Sequence, residues 1–161
     1  CIRDREYAEL LKDDTEYRDK ANQFSAITKD VTEFLAELPL IPPETTITRR
    51  ITYQDPCHLA HAQRITAAPR MILKSIPGLE LIEMENSSLC CGGAGIYSST
   101  QPALSKRLMN RKMLSIKATG VQEVITANPG CMLQIELGFK SQGIQSKIRH
   151  VVDILDEAYG L

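Results

Sequence analysis

Residues 121–131, Val-Gln-Glu-Val-Ile-Thr-Ala-Asn-Pro-Gly-Cys, decide the fold class. The first seven residues are rich in branched apolar side chains and predict a strand. Asn128-Pro129-Gly130 predicts a tight turn directly before Cys131, and the segment that follows has helical periodicity as far as Gly143. The stretch therefore predicts a strand, a turn that presents a cysteine, and a helix.

The same order of strand, turn and helix occurs elsewhere in the chain. Residues 47–53 predict a strand that ends in Asp55-Pro56-Cys57, and residues 79–84 predict a strand that leads to Cys90-Cys91. A short strand at 147–150 precedes a closing amphipathic helix. Strands that alternate with helices indicate a parallel sheet with right-handed crossovers. We therefore predict a Rossmann-like three-layer α/β fold in residues 41–161, with a mostly parallel sheet of about four strands.

Residues 1–40 are polar and helical in pattern, and Pro39, Pro42 and Pro43 separate them from the predicted sheet. Their second half places apolar residues within roughly 100° of a helical wheel, which predicts one helix that docks on a core. These residues are Tyr17, Phe24, Ile27, Val31, Phe34, Leu35 and Leu38. We predict an N-terminal helical segment that precedes the α/β domain.

The composition is that of an ordinary globular protein, with 43% hydrophobic and 24% charged residues among 161. The net charge of −1 gives no reason to expect a nucleic acid partner. No apolar run approaches the ~18 residues that a membrane-spanning helix needs, and no secretory signal is visible. The chain begins at Cys1 without an initiator Met, which favours a fragment of a longer protein. Five cysteines, an odd number, favour a reducing compartment over a secreted disulfide scaffold.

Four of the five cysteines are predicted to meet at one edge of the sheet. Cys57 and Cys131 each follow a strand directly, and the pair Cys90-Cys91 follows a third strand after a short loop. Ligands of open parallel sheets gather at the carboxyl ends of the strands. Four thiolates suit an iron–sulfur cluster or a tetrahedral zinc ion. Gly92 and Gly93, which lack a Cβ, would let the backbone approach such a cofactor closely and direct N–H groups at it.

Three other interpretations of these cysteines are open at this point. Cys90 and Cys91 could be metal-free redox thiols, because a glycine-rich turn before a helix can lower a thiol pKa. The four cysteines could also be unrelated buried side chains. Gly93-Ala94-Gly95 partly matches a dinucleotide-binding fingerprint, but the third glycine and the downstream acidic residue are missing.

The histidines and one basic helix offer weaker candidates. Cys57 and His61 are four positions apart and could share a zinc ion, although a histidine there more often donates to a loop carbonyl. His150, at a strand–helix junction, is expected to be structural. A group of basic residues predicts a solvated helix face that could also dock an acidic partner. They are Lys106, Arg107, Arg111, Lys112 and Lys117.

Three motifs, taken in order, carry a resemblance to a known family. They are Asp55-Pro56-Cys57-His58-Leu59-Ala60-His61, Cys90-Cys91-Gly92-Gly93-Ala94-Gly95 and Asn128-Pro129-Gly130-Cys131. The chain resembles the cysteine-rich CCG domain, which occurs in the iron–sulfur subunit of glycolate oxidase and in heterodisulfide reductase. The likeness to the glycolate oxidase protein is closer and extends into residues 1–40.

The resemblance implies an electron-transfer iron–sulfur module at the carboxyl end of a larger subunit. Cys57, Cys90, Cys91 and Cys131 match the ligand pattern, which implies a cluster of the [4Fe–4S] type, with zinc as the alternative. Gln134 stands where the heterodisulfide reductase pattern has a further cysteine, which puts a five-cysteine cluster in doubt.

The family pattern also implies an arrangement of subunits around this module. Residues 1–40 would end a preceding cysteine-rich repeat, with Cys1 as its last ligand-type cysteine. FAD would be held by a partner subunit that oxidises a 2-hydroxy acid, and electrons would pass to a quinone-type acceptor. The expected location is the cytoplasm, with peripheral attachment at the inner face of the cell membrane. The alternatives are a heterodisulfide-type thiol site at Cys90 and Cys91, or a zinc-stabilised interaction domain.

Overall fold

A computed structural model describes residues 2–39 and 41–160 of the chain. Within these residues, strands and helices alternate after an initial group of three helices. The strands are β1 (Arg49–Tyr53), β2 (Leu79–Ile82), β3 (Glu123–Thr126) and β4 (Lys147–His150). The helices are α1 (Ile2–Leu10), α2 (Arg18–Ile27), α3 (Val31–Glu37), α4 (Cys57–His61), α5 (Ala67–Lys74), α6 (Tyr97–Thr100), α7 (Pro102–Ala118), α8 (Pro129–Gln142) and α9 (Val151–Tyr159).

The four strands form one parallel sheet in the order β2-β1-β3-β4. The chain moves outward from β1 to β2, then returns to the other side of β1 for β3 and β4. The direction of winding therefore changes between β1 and β3. In open parallel sheets, a crevice for ligands forms at the carboxyl ends of the two strands that flank such a switch point. Cys57 follows β1 and Cys131 follows β3, so both stand at this crevice.

Two apolar layers cover the faces of the sheet. On one face, Ile51 and Tyr53 of β1 and Ile125 of β3 pack with α5 and α9, and on the other face Val124 packs with α7 and α8. The buried residues of α9, predicted from its apolar stripe, are Val151, Ile154, Leu155 and Ala158. The predicted three-layer α/β fold is confirmed.

The prediction of one continuous helix in the second half of residues 1–40 is wrong. Thr28 ends α2 by directing its N–H and hydroxyl at the Phe24 carbonyl, and Asp30 caps α3 by accepting from Thr32 N at 2.9 Å. The break divides the apolar stripe, and several of its members are exposed, among them Phe24, Ile27 and Phe34. Helix α3 docks on the sheet domain, where Leu35 packs against the core beside α5.

The three N-terminal helices also contact one another. Tyr7 of α1 meets Phe24 of α2 edge to face at 5.7 Å, and Arg5 pairs with Glu33 of α3. The division between residues 1–40 and 41–161 stays a prediction, as does the assignment of Cys1, which lies outside the described residues. None of the described helices is both long and apolar enough to span a membrane.

Candidate metal centre

The fold brings the four predicted site cysteines together at the carboxyl edge of the sheet. Each thiol interacts with the next in the order Cys57, Cys90, Cys91, Cys131. Cys91 and Cys131 are buried, whereas Cys57 and Cys90 are half-buried. The group therefore has a closed inner end and an outer end that reaches the surface.

The surroundings of Cys57, Cys90 and Cys91 favour the protonated form of these three thiols. Burial, followed by the neighbouring Cys90, raises the pKa of Cys57. The hydrogen bond to Cys91, together with burial, raises the pKa of Cys90, and the hydrogen bond to Cys131 raises the pKa of Cys91 to about 11. Several thiolates at this spacing would repel one another, so ionising the group requires a positive charge among or beside the sulfurs.

The turns that follow β3 and β1 explain the positions of Cys131 and Cys57. Asn128 caps α8 by accepting from the Cys131 N–H at 2.9 Å, and Pro129 occupies the first helical position. These contacts fix Cys131 in the first turn of the helix. Cys57 is the first residue of the short helix α4, and Pro56 precedes it.

Gly92, the first glycine after the cysteine pair, packs closely against α7. Gly92 has a φ of +88°, and a Cβ there would lie 2.5 Å from the carbonyl oxygen of Ser105. Ser105 in turn donates its hydroxyl to the Gly92 carbonyl at 2.8 Å. The Gly92 N–H donates to the Cys90 sulfur at 3.3 Å, so the turn directs a backbone donor at the thiol group.

Gln134, which stands where the related pattern has a cysteine, packs over this turn. A Cβ on Gly93 would lie 3.1 Å from the Gln134 Cβ and 3.5 Å from the Cys91 sulfur. The Gln134 amide donates to the Ser105 hydroxyl at 3.2 Å. Gln134 therefore contributes packing and a hydrogen bond next to Cys91.

A buried ion pair ties the loop before the cysteine pair to β1. Asp55 is 3% exposed, and both of its oxygens accept from the guanidinium of Arg70 at 2.8 Å. Ser87 donates its hydroxyl to the same carboxylate at 2.6 Å, and Glu83 accepts from Arg70 at 3.0 Å. Asp55 therefore sets the position of the cysteine loop through Arg70 and Ser87.

Lys112 contradicts the interpretation of α7 as carrying a row of solvated basic residues. Its side chain is fully buried, and Nζ donates to the carbonyls of Asn86 and Ser87 at 3.1 and 2.8 Å. Lys106, Arg107, Arg111 and Lys117 are exposed as predicted. A sequence signal for Lys112 existed, because it shares one helical face with the buried residues Ser105, Met113 and Ile116.

His61 and His150 both form structural contacts, which the sequence predicted for His150 and left open for His61. The His61 ring contacts the Ser88 carbonyl through Nε2 at 3.2 Å, which ties α4 to the cysteine loop. His150 caps α9 in a reciprocal arrangement, accepting from Val152 N while its own N–H donates to Asp153. Burial lowers the pKa of His58, which lies beside Cys57 in α4.

The donors at this edge fit a sulfur-bound cofactor. All four are thiols, a backbone N–H already points at one of their sulfurs, and soft sulfur ligands select zinc or iron–sulfur clusters. Among residues 2–39 and 41–160, no three Cys, His, Asp or Glu side chains are grouped so that they could hold one metal ion. The thiols lie in a row, and a single tetrahedral ion would require them to turn toward a common centre.

A second concave region, of about 700 Å³, lies at the opposite edge of the sheet. It is lined by charged side chains from the starts of β1, β3 and β4, including Arg49, Glu123 and Arg149. These charges pair with one another and with Glu157. The groove is therefore a surface network of ion pairs, and the thiol chemistry lies at the other edge.

Comparison with known proteins places these features in a family. The family model "CCG: Cysteine-rich domain" matches residues 51–136, which contain all four cysteines of the site. A probable glycolate oxidase iron-sulfur subunit of Bacillus subtilis is 41% identical over 96% of this chain, and the match covers 36% of that protein. A subunit of the fumarate reductase (CoM/CoB) of Methanothermobacter marburgensis is 38% identical over 81% of this chain and 27% of its own length. Lactate utilization protein A of Shouchella clausii is 31% identical over 94% of this chain and 64% of its own length.

The chain thus spans about a third of the first relative, about a quarter of the second and somewhat less than two thirds of the third. The family match covers more than half of the 161 residues, from β1 into α8. On this evidence, the chain belongs to the cysteine-rich (CCG) domain family.

Proposed function

We propose that this chain is an electron-transfer module that holds an iron–sulfur cluster through Cys57, Cys90, Cys91 and Cys131. One observation carries the proposal: four thiols from three strand ends lie beside one another at the carboxyl edge of the sheet, next to its switch point. Gly92 and Gly93 would shape the loop around the cluster. The cluster type we propose is [4Fe–4S], because four cysteines match its usual ligand number.

The surroundings of the thiols support a redox centre over a structural metal site. When bound, the cluster supplies one-electron transfer. The Gly92 N–H, which donates to the Cys90 sulfur, is the kind of donor that tunes a cluster's reduction potential. Half-buried Cys57 and Cys90 leave one end of the site near the surface, where an electron can enter or leave. A structural zinc site has no need of such an opening.

The names of the relatives support a role within an oxidoreductase complex. They include a glycolate oxidase subunit, a lactate utilization protein and a fumarate reductase subunit, whose names refer to different organic acids. We propose that this module serves a complex that oxidises glycolate or a similar 2-hydroxy acid. A partner subunit would hold FAD and the substrate, and a quinone-type molecule would accept the electrons. Such a complex would work in the cytoplasm or at the inner face of the cell membrane.

Anaerobic reconstitution tests the cluster assignment. The chain, incubated with ferrous iron and sulfide and then desalted, should retain about four iron and four sulfide per molecule and gain charge-transfer absorption. Cys91→Ser should lose most of the bound iron. Cys1→Ser is the matched control, because Cys1 is outside the predicted ligand set, and it should retain the wild-type amount. Stoichiometric zinc with no iron or sulfide would contradict the proposal and favour a structural zinc site.

The alternative of a metal-free thiol-redox site is not favoured by the electrostatics. A reactive thiol needs a lowered pKa, whereas the pKa values of Cys57, Cys90 and Cys91 are all raised in the metal-free protein. A bound cluster would lower these pKa values, because its iron ions would stabilise the thiolates directly. The raised pKa values of these thiols therefore weaken the redox-thiol hypothesis, and they are also what is expected of metal ligands whose metal is not bound.

A further inference from the structure

The buried side chain of Lys112 is not explained by the fold alone. Lysine is almost never fully buried unless it is paired, because removing an ammonium group from water is costly. Lys112 has no exposed surface, and within the described part of the chain it forms no ion pair with a carboxylate. Burial lowers the pKa of Lys112 to about 8, which reflects this cost.

The contacts of Lys112 all lead to the loop that carries the cysteine pair. Nζ donates to two successive carbonyls, those of Asn86 and Ser87. Asn86 adopts the left-handed region with a φ of +56°, a conformation that asparagine tolerates better than most residues other than glycine. The ammonium group therefore secures a tight turn four residues before Cys90.

Most of the acidic groups that act on Lys112 belong to the thiol site. The acidic groups that act most strongly on Lys112 are Cys91, Asp55, Cys131 and Cys90. Asp55 is already neutralised by its paired hydrogen bonds with Arg70. The Lys112 ammonium group is itself bound to the Asn86 and Ser87 carbonyls, so its charge is held beside the cysteine loop with no carboxylate bound to it.

We propose that Lys112 is a positioning residue of the thiol site, with two linked roles. It fixes the 86–91 loop through two carbonyls, and it supplies a counter-charge to the ionised sulfurs. The second role rests on the proposed function in one respect: the sulfurs must become thiolates when they bind metal. Four thiolates around a divalent ion, or around a cluster, leave a net negative charge that a buried ammonium group stabilises.

Three substitutions separate the charge from the hydrogen bonds. Lys112→Arg keeps the charge and the donors, Lys112→Gln keeps donors without charge, and Lys112→Met removes both. The matched control is Lys117→Met, since Lys117 lies on the same helix but is exposed and bonds to Gln142. Thermal unfolding of each metal-free variant checks that it folds.

The first measurement is the affinity of the reduced, metal-free chain for Cd²⁺, a thiolate-binding probe that requires no iron. A unit charge at about 10 Å in an effective dielectric constant of about 20 changes a binding constant by roughly tenfold. We expect Lys112→Gln and Lys112→Met to bind Cd²⁺ about tenfold more weakly, and Lys112→Arg and Lys117→Met to match the wild type. Wild-type affinity in Lys112→Gln would overturn the counter-charge, and wild-type affinity in Lys112→Met would overturn both roles.

The second measurement is the midpoint potential of the reconstituted cluster, which a merely structural role would not shift in one direction. Loss of the positive charge disfavours the added electron, so the potential should fall by about 60 mV, which is tenfold for a one-electron couple. An unchanged potential in Lys112→Gln would again refute the counter-charge. If the wild-type chain takes up no iron or sulfide, the proposed function fails, and the Cd²⁺ comparison still decides the role of Lys112.

Discussion

Gly92→Ala tests whether the turn after the cysteine pair is shaped by close contact with α7. The added Cβ would lie 2.5 Å from the carbonyl oxygen of Ser105 and 3.2 Å from its carbonyl carbon and Cα. These are backbone atoms of a long helix, so they cannot move aside as a flexible side chain would. Gly92 also has a φ of +88°, which an L-residue with a side chain rarely adopts.

The expected destabilisation has two parts. Forcing alanine into the left-handed region costs about 1 kcal/mol, and overpacking against a fixed backbone costs about 2 kcal/mol more. The free energy of unfolding should therefore fall by about 3 kcal/mol, a large share of the roughly 5–15 kcal/mol that stabilises a typical domain. Gly95→Ala is the matched control, because Gly95 has a φ of +54° but no atom within 4 Å of its Cβ position. It should lose only about 1 kcal/mol.

Urea unfolding of the reduced, metal-free variants measures both values under one set of conditions. Reconstitution of the same samples then shows whether the displaced turn also lowers the amount of bound iron. The decisive quantity is the difference between the two variants, about 2 kcal/mol, because backbone strain is common to both. Equal losses of stability would refute the close packing of Gly92 against Ser105.

Two further predictions concern the ion pair and the thiols. Asp55→Asn should lower the free energy of unfolding by about 2 kcal/mol, because Arg70 then keeps only the more exposed Glu83 as its carboxylate partner. Glu80→Gln, which removes the exposed pair with Arg50, should change it by less than about 0.5 kcal/mol; similar values for both in urea unfolding would contradict this. In the metal-free protein, Cys91 should be alkylated about 100-fold more slowly at pH 8 than in the urea-unfolded chain, since its pKa is about 11 rather than 9.0. The rate should rise about tenfold per pH unit up to pH 11, and rapid alkylation at pH 7 followed by mass spectrometry would instead support a redox thiol.

The sheet and the position of the cysteines followed from local sequence patterns. Branched apolar runs ended by Asp-Pro or Asn-Pro-Gly identify strands and the turns after them, and Asn128 caps α8 as such a turn predicts. The parallel topology then places the cysteines together, because it brings the carboxyl ends of separate strands to one edge of the sheet. The meeting of Cys57, Cys90 and Cys131 was predictable for this reason, although they are far apart in the sequence.

The features that the sequence did not reveal depend on contacts between distant elements. Lys112 lies in a run of basic residues, and its burial depends on the loop at Asn86 and Ser87 covering it. Asp55 was expected to shape a turn, but its main partner is Arg70, fifteen positions later. The helix break at Asp30 was missed because the apolar period continues through it, while the local cap ends one helix and begins the next.

The loop that presents Cys90 and Cys91 is held from both sides of the sheet. Asp55 and Arg70 bind it through Ser87 from the β1 and α5 side, and Lys112 binds the Asn86 and Ser87 carbonyls from α7. The loop has little regular structure of its own, so these buried charges replace the hydrogen bonds that a helix or strand would supply. These contacts are made by the chain's own side chains, so they hold the loop independently of a cofactor. A site prepared in this way limits the rearrangement that accompanies a change of charge at the sulfurs, which suits the electron-transfer role proposed for it.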